Sequence, residues 1–460
     1  MINNALAAPA LAIALSTGGD FAEIFVQDKT SETMTALDGR MEDILTRRIY
    51  GAGIRVYRGL SSVYVHTCDT SAAGLAGAAH RAADAIGSVP ADAQVELVGS
   101  RIRNIHPFRQ LPLDIPGARK AKLLKDACRT AQGVSASIAH AQARLLCSQE
   151  EIQIFNSEGL STQDYRVYTR FVINAIASSG MENQTGSESP GALMGYELFE
   201  TRVDPEAAAL AAANSALTSL SARPCPAGRM PVVMDGGFGG VIFHEACGHS
   251  LEATSVAFGT SEFCGKLNTQ IASPIVTAID DGTMANEWGS TNIDDEGNPT
   301  SRLVLIENGI LKNYMVDRLN GRRMNMAPTG SGRRQDYTFA PTSRMRNTFI
   351  APGKDDENEI IATAGDALFA KKMGGGSVNP ATGEFNFAVA EGYLIRDGRI
   401  AEPVRGATLI GRGADVLMKI DRVGSRMWMA QGMCGSMSGS VPTNVGQPRI
   451  RISEMTVGGR

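Results

Sequence analysis

Apolar and polar residues alternate through residues 21–28 (FAEIFVQD), the two-residue period of a strand with one buried face. Three further runs, MTALDGRMEDIL, GAGIRVYRG and SSVYVHT, follow at short intervals, divided by Gly and Ser. Together they predict a meander. An Ala/Leu run over residues 5–15 precedes it. No Lys or Arg stands before that run and Pro9 falls inside it, so it reads as an opening helix and not as a secretion signal. The period turns helical after Asp69-Thr70-Ser71, which caps an Ala-rich helix running to about Ile86 and stopped by Gly87. A second helix over 117–132 carries Leu123, Leu124, Ala127 and Ala131 at helical spacing and closes at Gly133.

Strand patterns then return as SASIAHAQARLLC, EIQIFNSEG and DYRVYTRFVINAIAS. The first two are expected to pair through a turn at Ser148-Gln149-Glu150. Residues 178–197 are polar and rich in Gly and Ser, which predicts a mobile loop. Asp204 then stands as a helix cap before Pro205, ahead of an Ala-rich helix to about Leu220. Arg223-Pro224-Cys225-Pro226 cannot continue that helix, and the main division is placed there. This predicts an N-terminal region, 1–222, with sub-units at about 1–95 and 110–222, and a C-terminal region, 223–460. Beyond the division come a strand (231–235), the turn GGFGG (236–240), one helix, and from about 270 short strands punctuated by DDG, ENG, RDG and GRG. The expected fold class is α+β: a sandwich-like N-terminal domain of meander plus helices, then a mostly antiparallel β-rich domain carrying one metal-binding helix. No repeat at solenoid periods is visible.

Composition narrows the classes. The 460 residues are 43% hydrophobic and 20% charged, ordinary for a globular protein, and the net charge of −4 argues against a dedicated nucleic-acid binder. No stretch approaches the ~18 apolar residues of a membrane span. The seven cysteines are an odd number, scattered and without a CxxC pair, which is the usage of a reducing compartment. A cytoplasmic, enzyme-sized protein is expected.

The chemistry concentrates in Phe243 to Glu252, FHEACGHSLE, which holds two of only six histidines. A histidine followed by glutamate, with a second histidine about one turn on, is how many zinc peptidases hold metal and general base together. The interval here is HExxxH, one residue longer than usual. In an ideal α-helix positions i and i+5 point roughly 140° apart. A π-type turn would realign His244 and His249, and Gly248 would let the backbone distort. A catalytic zinc takes three protein ligands and keeps one position open. Cys434, in the flexible stretch QGMCGSMSGS, is the choice for the third, with Cys247 and Glu252 as rivals. Glu252 could instead be the carboxylate that orients an imidazole. Glu245 is the candidate general base. His66, His80, His106 and His140 have no comparable context and read as structural.

Residues 321–347 hold six arginines against one acid, Asp336. A solvated basic face is one reading. The other puts a guanidinium (Arg333 or Arg334) or the Tyr337 phenol on a peptide substrate or its developing oxyanion. DDEG (294–297) reads as a turn before it reads as a substrate-facing loop.

FHEACGHSLEA, with SEFCGKL, GSTNIDDEGNPTSRLVLIENGILKNYMVDR, PTGSGRRQDY and SVPTNVGQP, resembles the TldD/PmbA family of zinc metallopeptidases. The opening LDGRMEDILTRRIYGAGIRVYR is similar to that family's first domain, and agreement is densest from about 230 onward. The intact metal motif points to the TldD branch, since the PmbA/TldE branch resembles it in fold but lacks the motif. The resemblance implies one zinc ion per active subunit on His244, His249 and Cys434, with Glu245 catalytic. It implies cleavage of unfolded or small peptides, including maturation of ribosomally made peptides and degradation of antitoxin-like proteins. It also implies a partner, either a TldE/PmbA-like subunit or a second copy; neither nucleic acid nor membrane is expected. QGMCGSMSG departs from the commoner GxGTCG-like surroundings of the cysteine. Three other readings compete: an inactive peptide-binding or assembly subunit, a metal-dependent amidohydrolase, and a nucleic-acid or gyrase-associated modulator using the 321–347 arginines.

Overall fold

The computed structural model describes residues 1–379 and 382–459. Its N-terminal half is one long sheet with helices on one face. After helix α1 (Asn4–Leu15), strands β1 (Phe21–Leu37) and β2 (Arg40–Arg58) run antiparallel along their whole length. They are joined at Asp38-Gly39, both in the left-handed region that a tight hairpin turn requires. The expected break near Gly51 does not occur. A Cβ on Gly51 would strike the Tyr337 ring, and one on Gly53 the Tyr64 hydroxyl, so these strand glycines serve close approach and not turning. Strand β3 (Ser61–Thr67) covers β2 only over residues 52–58. Helices α2 (Ala72–Ile86) and α3 (Gly117–Gly133) form where expected, α2 with the Ser71 side chain accepting from the Gly74 N–H.

The next two strands correct the sequence reading. SASIAHAQARLLC and EIQIFNSEG are not a hairpin but one strand, β4 (Ile138–Asn156), and Ser148-Gln149-Glu150 lies at its middle, paired with Ser31, Thr30 and Lys29 of β1. The polar run has a partner that local pattern cannot reveal: buried Glu150 accepts from Gln27 Nε2 at 2.5 Å, and Gln27 Oε1 accepts from the Tyr337 N–H at 2.9 Å. Strand β5 (Leu160–Ser179) follows, giving the order β3-β2-β1-β4-β5. Residues 178–197 are likewise not a loop: β6 (Glu182–Glu188) turns back on β5 at Gly180. Helix α4 (Pro205–Ser221), capped by Asp204, lies so close that a Cβ on Gly186 would meet the Ala212 carbonyl. Small polar residues there permit contact with the helix.

Even-numbered residues of β1 from Ala22 to Val26 join the α1/α2 core, and Met34 and Ala36 join the α3/α4 core. Odd-numbered Glu23, Phe25 and Gln27 face the C-terminal half. Residues 1–95 and 110–222 thus build one sheet.

In the C-terminal half, β7 (Gly228–Met234) opens a ring of strands. β8 (Ala278–Asp281), β9 (Arg302–Glu307) and β10 (Asn347–Ile350) belong to a second sheet. β11 (Ala367–Val378), β12 (Glu384–Arg396) and β13 (Thr408–Arg412) return to the ring. β14 (Trp428–Ser436) and β15 (Gly439–Gln447) form a hairpin in the second sheet, and β16 (Ile450–Gly458) completes the ring. The ring order is β11-β7-β16-β13-β12, closed because β12 pairs again with β11. The second sheet runs β9-β8-β10-β15-β14. Most pairings are antiparallel, β7–β11 and β10–β15 being parallel. One helical segment, residues 237–251, lies between the two sheets, with Phe243, Ala246, Cys247 and Leu251 in the core shared with the ring.

Candidate metal centre

The segment starts where GGFGG leaves β7. A Cβ on Gly240 would touch the Gly446 backbone at 2.5 Å, so glycine lets this close strand-to-helix turn lie flat on β15. After one turn, Val241–Phe243, the chain widens into a π-turn over His244–Gly248, closed by the His249 N–H donating to the His244 carbonyl. The extra residue does what the spacing demands. Two imidazoles that an α-helix would splay about 140° apart stand edge to face, ring centroids 5.0 Å apart and planes at 82°. Gly248 plays another part than expected. Its φ of −54° is ordinary right-handed helix; what requires glycine is the Met345 sulfur, which occupies the space of a Cβ.

Cys434 comes from β14, on the far edge of the second sheet, and its Sγ lies 3.4 Å from His249 Nε2. The donor atoms of His244, His249 and Cys434 all fall within 4.8 Å of one another. The hairpin is held in place by Arg344, a residue that sequence reasoning did not single out. Its fully buried guanidinium donates to the Cys434 carbonyl, to Ser438 Oγ at 3.0 Å and to the Gly439 carbonyl at 2.8 Å. The only advance signal was its place in the arginine-rich segment, which does not say which arginine matters.

Glu252 and Glu245 divide sharply. Buried Glu252 sets Oε2 3.1 Å from His249 Nδ1, and its Oε1 accepts from the Met345 N–H at 3.3 Å. The Nδ1 side of His249 is thereby committed, and Nε2 is left facing the thiol. Glu245 Oε2 lies 3.7 Å from that same Nε2, and its side chain is 25% exposed against 3% for Glu252. Burial pushes the Cys434 thiol up, but the His244 charge and hydrogen bonds from both imidazoles outweigh it and bring the thiol down to about 3. Burial likewise lowers His249, and Glu252 with Cys434 more than reverse it, holding the imidazole well above its ordinary value.

These residues fit a metal. His244 Nδ1 is buried without a hydrogen-bond partner, and a thiolate beside two imidazoles is the donor set that suits tetrahedral zinc. Among the described residues, the rival Cys247 stands outside this group; burial drives its thiol well above the usual range, as for an inert core cysteine.

The arginine-rich segment corrects the reading of a solvated basic face. Arg333, Arg334, Arg344 and Arg346 are buried and so make no solvated face. Arg333 donates to the Met345 and Pro442 carbonyls at 2.6 and 2.7 Å. Arg334 donates to Glu23 Oε1 and the Asp295 carbonyl, both at 2.7 Å. The Tyr337 backbone meets Gln27 and Tyr64 of the N-terminal sheet, and its ring covers Gly51. Arg334 and Tyr337 thus join the two halves, whereas Arg333 is held within the C-terminal half. DDEG is the expected turn, with the Gly297 N–H donating to the Asp294 carbonyl, but its acids are buried.

Three family models match along the chain: PmbA/TldA metallopeptidase domain 1 over residues 22–86, the central domain over 110–220 and the C-terminal domain over 227–459. A Haemophilus influenzae relative, a metalloprotease TldD homolog, is 35% identical over 96% of this chain and 93% of its own. Two solved structures share the fold. TldE from Thermococcus kodakarensis has a TM-score of 0.75 and 19% identity, over 96% of this chain and 97% of that one. A Thermotoga maritima protein described as a candidate modulator of a DNA gyrase has a TM-score of 0.78 and 20% identity, over 95% and 96%.

Proposed function

Because the chain belongs to the PmbA/TldD family of metallopeptidases, we propose that it hydrolyses peptide bonds at the centre formed by His244, His249 and Cys434, with one zinc ion per chain. The convergence of these three donors within 4.8 Å carries the reading. Zinc, when bound there, would polarise the scissile carbonyl and acidify its water. The rest falls to the chain. Glu252 fixes the His249 tautomer, and Arg344 holds the Cys434 hairpin against the helix. Glu245, the most exposed of the group, takes a proton as the carbonyl is attacked and passes it to the leaving amine. His244 and Cys434 are buried, so the substrate that suits them is an extended, unfolded or small peptide. All seven cysteines are free, which supports a reducing, cytoplasmic setting. Among the described residues no helix is long and apolar enough to cross a membrane.

The test is Glu245→Gln. Zinc content stays at one per chain while cleavage of an unfolded peptide falls by about 10²–10⁴; undiminished cleavage would remove the catalytic claim. The fold likeness to TldE supports a second reading, a subunit that holds peptide without cutting it and works beside a cleaving partner. Turnover by the purified chain alone decides between them.

A further inference from the structure

Odd-numbered residues of β4 and β5, such as Ala143, Leu145, Phe171 and Ile173, join the α3/α4 core. Even-numbered residues point to the opposite face of the sheet, the one on which the C-terminal half packs. On that face Arg144 stands opposite Val172 and Leu146 opposite Arg170, which makes the two arginines diagonal neighbours. Nearer the seam, Arg55 and Arg166 each meet a carboxylate. Among the described residues Arg144 and Arg170 form no ion pair. Arg170 is fixed from two sides: its guanidinium donates to the Ser189 carbonyl at 3.1 Å and to Ser189 Oγ and the Gln431 carbonyl at 3.0 Å, and it lies over the Trp288 ring. Burial and the charge of Arg144 together hold it below its ordinary value. Arg144 is half-buried, and its Nε is enclosed without a partner. Two guanidiniums that repel each other and lack a counter-ion form a site for an anion.

The place of this pair says which anion. Gln431, whose carbonyl Arg170 holds, lies on β14 ahead of Cys434, about 10 Å away at ~3.3 Å per residue of strand. Between them the Gly432 carbonyl accepts from Trp288 Nε1 at 2.8 Å, so this part of β14 lies against the wall that carries the arginines. An extended peptide with its scissile carbonyl at the metal centre covers that distance in about three residues. We propose that Arg144 and Arg170 receive a carboxylate of the peptide substrate, foremost its C-terminal one, about three residues from the bond that is cut. The proposal rests on the peptidase reading and adds to it a substrate class, peptides held by their free end. Arg170 is the preset half of the clamp, and Arg144 supplies the unused donors. The carboxylate neutralises a pair that otherwise repels.

The experiment reads binding before turnover. An unstructured hexapeptide of Ala and Ser, labelled at its N terminus, is titrated with the full chain, kept metal-free so that nothing is cut. It is used as the free acid, as the C-terminal amide, and as an amide ending in Glu. Fluorescence anisotropy should show the acid binding about tenfold or more tightly than the plain amide, with the advantage shrinking as salt rises. Arg144→Gln should bring the acid to the level of the amide without lowering the thermal midpoint, because the substitution removes a repulsion. Arg144→Lys should keep part of the preference. With zinc restored, the loss in Arg144→Gln should fall on KM and not on kcat. A Glu-ending amide that binds like the acid extends the site to acidic side chains. Equal binding of all three peptides, or a preference that survives Arg144→Gln, would overturn the proposal. Acid-selective binding through Arg144 with no cleavage by the zinc-loaded chain would remove the peptidase reading and keep the site.

Discussion

Two buried clusters of ionisable groups hold this molecule's interest, and they are built on opposite plans. In the seam between the halves, donors meet acceptors. Arg55 Nη2 reaches Glu23 Oε2 at 2.8 Å and Glu296 Oε1 at 2.7 Å, Arg334 takes the other Glu23 oxygen, and Arg166 pairs with Asp295 at 2.8 Å. At the candidate metal centre, two imidazole nitrogens and a sulfur, all electron-pair donors, converge on one another, and one ring nitrogen has no partner. The first plan neutralises itself. The second leaves a buried ring nitrogen unpaired beside a thiol and a second imidazole, a donor set that suits a cation.

The largest difference is expected when each cluster loses one member. Arg334→Met leaves Glu23 with one partner and Asp295 with fewer, and should cost about 3–5 kcal/mol of stability while zinc is still bound. Cys434→Ala should cost the metal-free protein less than that, because His249 keeps its Glu252 partner, yet abolish zinc binding. Thermal midpoints of the metal-free proteins, with zinc content alongside, read both. If Cys434→Ala destabilises as strongly as Arg334→Met, the centre is a structural cluster of the same kind as the seam and the contrast fails.

The two plans also differ in how far the sequence shows them. Helices closed by local capping, such as those after Ser71 and Asp204, are legible because cap and helix are neighbours in the chain. The HExxxH spacing is legible for the same reason, down to the π-turn it requires. The seam is not. Ser148-Gln149-Glu150 looks like a turn because Glu150 is polar, yet its polarity answers Gln27 and, through it, Tyr337, which lies far along the chain. Arg334 looks like a surface or substrate group for want of any sign of Glu23 or Asp295 opposite. Cys434 stood out by its flexible, glycine-rich stretch and by family resemblance; the arginine that holds its hairpin did not.

Glu252 belongs to both plans, being a buried acceptor that serves a donor, and Glu252→Gln sharpens the line between them. The amide keeps the shape and can still accept from Met345, but it no longer draws a full proton onto His249 Nδ1. Zinc affinity should fall about 10–100-fold with the fold intact, measured by competition with a chelating dye. A loss of stability with unchanged affinity would move Glu252 to the seam.

The smallest effect concerns Asp280, a buried acid without a direct ion pair. Asp280 Oδ1 accepts from the Arg346 N–H at 2.7 Å and from Thr348 Oγ1 at 3.0 Å, but no guanidinium touches it. Burial pushes its carboxyl up to about 6, against the lowering effect of the Arg346 amide and charge and the Thr348 hydroxyl. A folded value above the unfolded one, 3.8, means the native state binds the proton more tightly between the two. Its contribution is present below the unfolded value and is lost as pH rises towards about 6. Asp280→Asn, which mimics the protonated acid, should remove this slope. The variant should gain on the unaltered protein by on the order of 1–3 kcal/mol across that window and hold the gain above it. Urea midpoints at about pH 4, 5, 6 and 7 test it. Parallel curves would mean that Asp280 is ionised throughout.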